Sequence, residues 1–216
     1  MSQAARRHGR WCRRASIETL PASYYDGAAE EVAVSVIRQA RLTDARAIGR
    51  IEVETWRATY AGMLPDRVLL GMSEQRQAMS WASFLRHRPD DVYVAEAGGA
   101  GGRLVGFGNC GPQRDPAFAF AGEVYTLYVQ PDAQGGGLGR QLLLALFARL
   151  RDGGHRSALV WVVRANPARF FYERLGGKLT LERPIPIGGR AVDAVGYGWS
   201  DLGAVLEREA RSRARF

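Results

Sequence analysis

A glycine-rich stretch that begins at Gln134, "QGGGLGRQLL", combines the residue types that bind a phosphate group. Gly135, Gly136, Gly137 and Gly139 directly precede a leucine-rich run with helical spacing. The first N–H groups of a helix have no partner within the helix, and the helix dipole adds partial positive charge there. Because glycine has no Cβ, phosphate oxygens can approach these amides closely. The stretch therefore predicts an anion site.

Three interpretations of this stretch are separated by the residues around the glycines. A P-loop for ATP or GTP requires a lysine and then a serine or threonine after its last glycine, whereas Arg140 and Gln141 follow here. A dinucleotide site requires Gly-x-Gly-x-x-Gly early in a parallel β-α-β unit, and this stretch comes late in the chain. A turn that binds nothing is disfavoured by Gln134 and three glycines ahead of a long helix. The stretch alone indicates phosphate without naming the ligand.

The elements that must position these glycines alternate in the manner of a mixed α+β domain. Helical spacing and capping residues predict four helices. The first begins at about Thr43 or Asp44, the second spans 73–87 and the third spans 137–152. The fourth is short, begins at the capping residue Asn166 and ends at Gly176. Period-two patterns predict strands at 32–39, 91–97, 103–111, 122–130, 157–163 and in a hairpin at 184–199 that turns at Gly188–Gly189. We expect a single central mixed, mostly antiparallel sheet flanked by helices.

The net charge of +8 is carried mostly by the ends of the chain. Residues 1–14 contain five arginines and no acid, and residues 207–216 contain four arginines against two glutamates. We therefore predict a disordered Arg-rich extension at 1–33, a domain at 34–202 and a basic tail at 203–216. Because the domain itself is nearly neutral, a nucleic-acid partner is not expected.

Composition predicts a bacterial protein of the cytoplasm without a metal site. No apolar run approaches the roughly 18 residues of a membrane span, so no membrane association is expected. Cys12 and Cys110 make neither a disulfide framework nor a metal quartet, and no apolar segment follows the arginines as a signal peptide would require. Lys178 is the one lysine beside 29 arginines, which is typical of a GC-rich bacterial genome.

Two motifs in the expected order resemble the GNAT superfamily of N-acetyltransferases. "VYTLYVQPDAQGGGLGRQLL" is similar to its acyl-CoA motif, Gln/Arg-x-x-Gly-x-Gly/Ala, through Gln134, Gly137 and Gly139. "VRANPARFFYERLGG" resembles the second family motif, and "IGGRAVDAVGYGW" resembles the closing hairpin. The resemblance covers about residues 33–200 and implies a GNAT-like acyl-CoA N-acyltransferase fold. One departure is Gly177, where the family usually has an aromatic or aliphatic residue.

The resemblance implies acetyl-CoA as the cosubstrate and a gap between two strands that receives its pantetheine arm. Main-chain groups of Leu127, Tyr128 and Val129 would contact pantetheine and the acetyl carbonyl, and Asn166 would bind the cofactor from the end of the next strand. The pyrophosphate would lie on the amides of the residues Gln134, Gly135, Gly136, Gly137, Leu138, Gly139 and Arg140.

The implied reaction is direct acetyl transfer to a primary amine, on a small molecule or a protein. Tyr172 is the candidate acid at the sulfur. Glu123 is the candidate base, since a carboxylate on a buried sheet should have a raised pKa, and Glu96 is a weaker competitor. Trp56 and Tyr60 lie where the family forms its acceptor pocket, although core packing explains them equally well.

The resemblance leaves the assembly and one alternative function open. Dimers are common among similar proteins, so a homodimer is one expectation. A non-catalytic acyl-CoA-binding or regulatory module on the same fold is the alternative to an enzyme.

Overall fold

The computed structural model describes residues 35–214 of the chain. The predicted Arg-rich extension at 1–33 lies outside these residues. Within residues 35–214, no helix combines the length and apolar character needed to cross a membrane.

One seven-stranded mixed sheet forms the centre of the domain, as predicted. Its spatial order is β1-β2-β3-β4-β5-β7-β6, and only the β4–β5 pair is parallel. The strands are β1 Val36–Gln39, β2 Val92–Ala97, β3 Arg103–Pro112, β4 Gly122–Val129, β5 Ala158–Val163, β6 Lys178–Ile187 and β7 Arg190–Trp199.

Six α-helices cover the two faces of the sheet. They are α1 Ala45–Thr59, α2 Asp66–Leu70, α3 Glu74–His87, α4 Leu138–Asp152, α5 Arg169–Arg174 and α6 Leu202–Arg213. Helices α1 and α3 pack on one face, where Ile48, Trp81 and Phe107 belong to one apolar cluster. Helices α4 and α6 pack on the other face, in a cluster that includes Leu146 and Leu202.

The leucine-rich helix after the glycines is anchored through its entire length. Leu142, Leu143, Leu146, Phe147 and Leu150 are all buried, which confirms the predicted apolar stripe. Burying one such side chain contributes roughly 1.5–3 kcal/mol relative to leaving it exposed. The start of α4 is therefore held in a fixed place beside the end of β4.

The segment predicted as a basic tail, 203–216, departs from that expectation because most of it forms α6. The Asp201 carboxylate accepts a hydrogen bond from the Ala204 N–H at 3.0 Å and caps the helix. Leu202 and Val205 are buried in the cluster on the α4 face. The charged residues of the segment conceal this apolar spacing in the sequence, so the domain continues past residue 202.

The unusual Gly177 is explained by the aromatic residue beside it. A Cβ on Gly177 would lie 2.6 Å from the Trp199 ring and 2.9 Å from the Tyr172 carbonyl oxygen. The Trp199 indole N–H donates to the Leu175 carbonyl at 3.0 Å, which fixes the ring in that place. The Trp199 ring therefore occupies the volume that a side chain at position 177 would need.

We predict that Gly177→Leu destabilises the fold by about 1–3 kcal/mol, because the Trp199 ring cannot move without breaking its hydrogen bond. Urea unfolding measures the change. Gly136→Leu is the matched control, since a Cβ there meets no atom within 4 Å. Equal stability of the two variants would show that Trp199 does not close this space.

Candidate active site

The parallel strands β4 and β5 are paired for only three residues. Gly122, Glu123 and Val124 pair with Ala158–Val160, and the ladder ends there. Strand β4 continues to Val129 along β3, while β5 continues to Val163 along β7. The strands therefore diverge toward their carboxyl ends and leave a gap, which is the geometry that the sequence resemblance implies.

Main-chain groups of alternate β4 residues face this gap. Gln130 donates its N–H to the Val105 carbonyl at 2.8 Å, so the hydrogen bonds to β3 fall on the even-numbered residues near it. Leu127 and Val129 consequently direct their main-chain groups toward the gap, as proposed for pantetheine binding. Tyr128 directs its main-chain groups to β3, so this register favours a side-chain rather than a main-chain role for it.

The glycine stretch forms an open loop that ends in the first turn of α4. Gly135 and Gly137 have φ angles of 86° and 82°, a left-handed conformation that favours glycine. A Cβ at Gly135, Gly136 or Gly137 would meet no atom within 4 Å, so the outer side of this backbone is accessible. The first helical bond runs from the Gln141 N–H to the Gly137 carbonyl at 3.0 Å, so the amides from Gly135 to Arg140 are available to an anion. The predicted Gln134 amide is not among them, because its N–H donates to the Pro131 carbonyl at 3.3 Å.

The two residues that follow Gly137 have packing roles as well. Leu138 is buried in an apolar cluster with Val129 and Leu142. A Cβ on Gly139 would lie 3.4 Å from the Phe171 ring, so the small residue lets α5 approach α4. Only their amides remain for a ligand.

Side chains at both ends of the glycine loop tie it to its surroundings. The side-chain amide nitrogen Nε2 of Gln134 donates to the Val129 carbonyl at 2.9 Å. The Arg140 guanidinium forms an ion pair with Glu209 on α6. The loop is thus held between β4 and the last helix.

Asn166 lies across the gap, in the turn that follows β5. It is 5% exposed, its N–H donates to the Val163 carbonyl at 2.9 Å, and its Oδ1 accepts from the Ala168 N–H at 2.9 Å. Helix α5 begins three residues later, at Arg169, rather than directly after Asn166 as predicted, because this side-chain turn comes first.

Tyr172 is a buried phenol on α5. Its ring packs against Phe171 at 5.1 Å, Tyr197 at 6.1 Å and Trp199 at 6.3 Å between centroids. Burial, and then the nearby Tyr60, raise the pKa of Tyr172 well above its ordinary value. The phenol therefore stays protonated at neutral pH and can donate a proton.

Two further tyrosines belong to the same cluster of phenols. Burial raises the pKa of Tyr60, while its contacts with Asn166 and Tyr128 act in the opposite direction. Burial also raises the pKa of Tyr128, followed by the charges of Tyr60 and Glu52. The rings of Trp56 and Tyr60 contact each other at 5.2 Å between centroids. Because Tyr60 also contacts Asn166 and Tyr128, which lie on the two sides of the gap, the end of α1 contributes one wall of it.

Glu123 is buried, as expected, but it has an arginine partner that was not predicted. The Arg114 guanidinium forms an ion pair with its carboxylate, and the Arg114 N–H donates to it at 3.2 Å. Glu123 lies where β4 and β5 are still paired, roughly 13 Å of strand before Leu127. The structure therefore places Glu123 at the closed end of the gap and Tyr172 near the open end.

The weaker candidate Glu96 has a structural role in β2. Arg38 pairs with its carboxylate at 2.6 Å, and this contact, together with the Gly101 N–H, lowers its pKa. Glu96 also lies on β2, and β3 separates that strand from the gap between β4 and β5, so its carboxylate is a poor candidate for the base.

One acidic residue near the gap was missed in the sequence. Glu52 is 8% exposed on α1 and accepts a hydrogen bond from the Trp81 indole N–H at 2.7 Å. Burial raises its pKa, against the effect of its contacts with Trp81 and Gln77. Its spacing of four residues from Trp56, and of eight from Tyr60, could have placed it on the same helix face.

No metal centre is evident in the described part of the chain. Residues 35–214 contain no group of three or more His, Cys, Asp or Glu side chains that could hold a metal ion.

Comparison with known proteins gives a consistent family. The model of the family described as "Acetyltransferase (GNAT) family" matches residues 50–177. The "Uncharacterized N-acetyltransferase YuaI" of Bacillus subtilis (strain 168) is 31% identical over 169 residues, which are 78% of this chain and 95% of that protein.

A second curated relative matches a smaller part of the sequence, and a solved structure matches the fold. A mycothiol acetyltransferase of Thermomonospora curvata is 40% identical over 102 residues, which are 47% of this chain but 30% of that protein. The structure of yncA from Salmonella typhimurium, with its cofactor acetyl-CoA, has a TM-score of 0.56 and 24% identity. The matched region covers 77% of this chain and 93% of the yncA chain, and the similarity supports the fold described above.

Proposed function

The chain belongs to the acetyltransferase (GNAT) family, and from this premise we propose that it transfers the acetyl group of acetyl-CoA directly to a primary amine. The observation that carries the proposal is the gap between β4 and β5, which is bordered by the open glycine loop and by a buried, protonated tyrosine. A binding module would need the loop and the gap, but it would not need a proton donor there.

The cofactor would lie along the gap with its pyrophosphate on the glycine loop. Amides from Gly135 to Arg140 would hold the pyrophosphate, and main-chain groups of Leu127 and Val129 would hold the pantetheine arm. Asn166 would contact the arm from the opposite side. These groups fit an extended, hydrogen-bonding ligand with an anionic end.

The chemical step requires two proton transfers. The acceptor ammonium first loses a proton, and the free amine attacks the acetyl carbonyl to form the C–N bond. When the C–S bond then breaks, Tyr172 gives its proton to the departing thiolate. In our proposal Glu123 accepts the ammonium proton through water, because its carboxylate lies at the other end of the gap.

We predict that Tyr172→Phe lowers kcat by about a hundredfold and leaves acetyl-CoA binding intact, because the ring is kept and only the proton donor is lost. Thiol release from acetyl-CoA across an amine panel measures kcat. Tyr197→Phe is the control, since that phenol is also buried but donates to Glu173 at 2.5 Å. Equal rates in the two variants would contradict a role of Tyr172 in proton transfer.

We predict that Glu123→Gln lowers kcat/KM by about a hundredfold, because an amide cannot accept the ammonium proton. Thiol release from acetyl-CoA across the same amine panel measures the rate. A variant with the wild-type kcat/KM would exclude Glu123 as the base, and a thermal melt checks that its pairing with Arg114 is not needed for folding.

We predict that Gly137→Val abolishes acetyl-CoA binding in calorimetry while circular dichroism remains native. Valine disfavours the left-handed backbone and fills the open side of the loop. Gly154→Val is a matched control, because Gly154 has a φ of 86° and equally open surroundings but lies after α4, at the far end from the loop. Normal acetyl-CoA binding by Gly137→Val would refute the assignment of this loop.

A further inference from the structure

Glu52 differs from the other buried acids in having no arginine partner. Five acidic side chains are buried among residues 35–214, namely Asp44, Glu52, Asp91, Glu96 and Glu123. The other four form ion pairs at hydrogen-bonding distances. Asp44 and Glu96 pair with Arg38, Asp91 pairs with Arg88 and Arg149, and Glu123 pairs with Arg114. The partners of Glu52 are the neutral Trp81 and Gln77.

A buried carboxylate without a counter-charge is costly to the fold. Neutral donors compensate only part of the lost hydration, which is why burial raises the pKa of Glu52. An uncompensated charge of this kind, beside a cleft, is typical of a site that receives an opposite charge from a ligand.

The surroundings of Glu52 are suited to a cation. Glu52 and Trp56 lie four residues apart on α1, and Tyr60, which caps the end of the helix, follows four residues later, so the three side chains share one face. Tyr60 contacts Asn166 after β5 and Tyr128 on β4, so this face is directed toward the gap. Aromatic faces and a carboxylate together attract an ammonium group.

A second observation concerns the same wall. The Trp56 indole nitrogen is buried, and its neighbour in the protein is the Tyr128 phenol, whose pKa this contact lowers against the effect of burial. Trp56 on α1 and Tyr128 on β4 therefore lie side by side, and together they form an aromatic wall beside Glu52.

Three arginines near the strands of the gap are already paired with acids. Arg114 pairs with Glu123, Arg164 with Glu182, and Arg183 with Asp115 at 2.7 Å. The Arg183 guanidinium also lies over the rings of Phe118 and Trp161, both at 4.8 Å. A carboxylate on the acceptor would therefore meet the negative charge of Glu52, and these three arginines have no free charge to offset it.

We propose that Glu52 determines specificity in the acceptor subsite by holding the ammonium of an amine that carries no carboxylate next to its nitrogen. Simple primary amines are accepted, and free α-amino acids are disfavoured. This inference rests on the proposed function and names its substrate class. Trp56, Tyr60 and Tyr128 form the aromatic wall against which the ammonium is held.

Matched pairs of acceptors that differ by one carboxylate test the inference. We expect kcat/KM to be at least about tenfold higher for tyramine than for tyrosine, and for agmatine than for arginine. Glu52→Gln should raise the KM for tyramine by about tenfold with little change in kcat, and should reduce the preference over tyrosine. Glu54→Gln, two residues along α1 and exposed, is the control that should behave as the wild type.

The pH dependence separates a charge effect from a structural one. The groups packed against Glu52 are Trp81 and Gln77 from α3 and Tyr128 from β4, and Tyr128 remains neutral because its pKa is raised. As the pH falls through the raised pKa of Glu52, the carboxylate becomes neutral, so the KM for tyramine should rise in the wild type. It should stay flat in Glu52→Gln.

The stability of the free protein provides a readout that needs no turnover. The raised pKa means that the folded state binds the Glu52 proton more tightly than the unfolded state does. The protonated side chain therefore stabilises the fold at a pH below its ordinary pKa. This stabilisation is lost as the pH rises through the raised pKa of the folded state. Glu52→Gln should therefore be more stable than the wild type at pH 8, and the difference should shrink toward pH 5. A less stable variant at pH 8 would overturn the inference.

The outcomes distinguish this inference from the proposed function. Turnover of tyrosine and tyramine at equal kcat/KM, or an unchanged ratio in Glu52→Gln, overturns the inference and leaves the proposed function standing. Failure of every amine to release thiol refutes the proposed function instead. In that case calorimetric titration of tyramine into the CoA-bound protein decides: binding lost in Glu52→Gln supports the inference, and equal binding overturns it.

Discussion

The divergence of β4 from β5 is the constraint on which the candidate site depends. Two adjacent parallel strands normally remain paired along their length, but β4 and β5 each form a longer ladder with the strand on their other side. β5 is paired with β7 from Ala158 to Val163, and β4 is paired with β3 as far as Val129. An irregularity in the β3–β4 register between Asn109 and Cys110 adds local twist near the point where the gap begins. The gap is thus a consequence of the pairing pattern of the whole sheet.

The proposed ligand-binding groups are attached to the two sides of this gap. The glycine loop leaves the end of β4, and the Asn166 turn leaves the end of β5, so both lie at the carboxyl ends of the parallel pair in the described sheet. Helix α1 covers one face of the opening with its aromatic residues, and α5 brings Tyr172 from the other direction. The apolar stripe of α4 fixes the helix start without involving any polar group of the site.

The sequence was sufficient for features that depend on local patterns. The stripe of α4, the turn at Gly188–Gly189 and the glycine loop each follow from the spacing of a few neighbouring residues. Features that depend on distant partners could not be predicted. The Arg114–Glu123 pair forms across a loop, Trp199 fills the space at Gly177, and the environment of Glu52 exists only once α3 packs against α1. Helix α6 was missed because charge dominates its composition and obscures the buried Leu202 and Val205.

The hydrogen bond from Gln134 to the Val129 carbonyl has a consequence for the thermodynamics of recognition. A free loop rich in glycine would lose considerable conformational entropy when it wraps an anion, and that loss would weaken the complex. Here the loop is already tied to the sheet at one end and to α4 at the other, so much of this ordering cost is met during folding. Association of the proposed cofactor would then need little rearrangement of the backbone, and the contacts themselves would govern the lifetime of the complex.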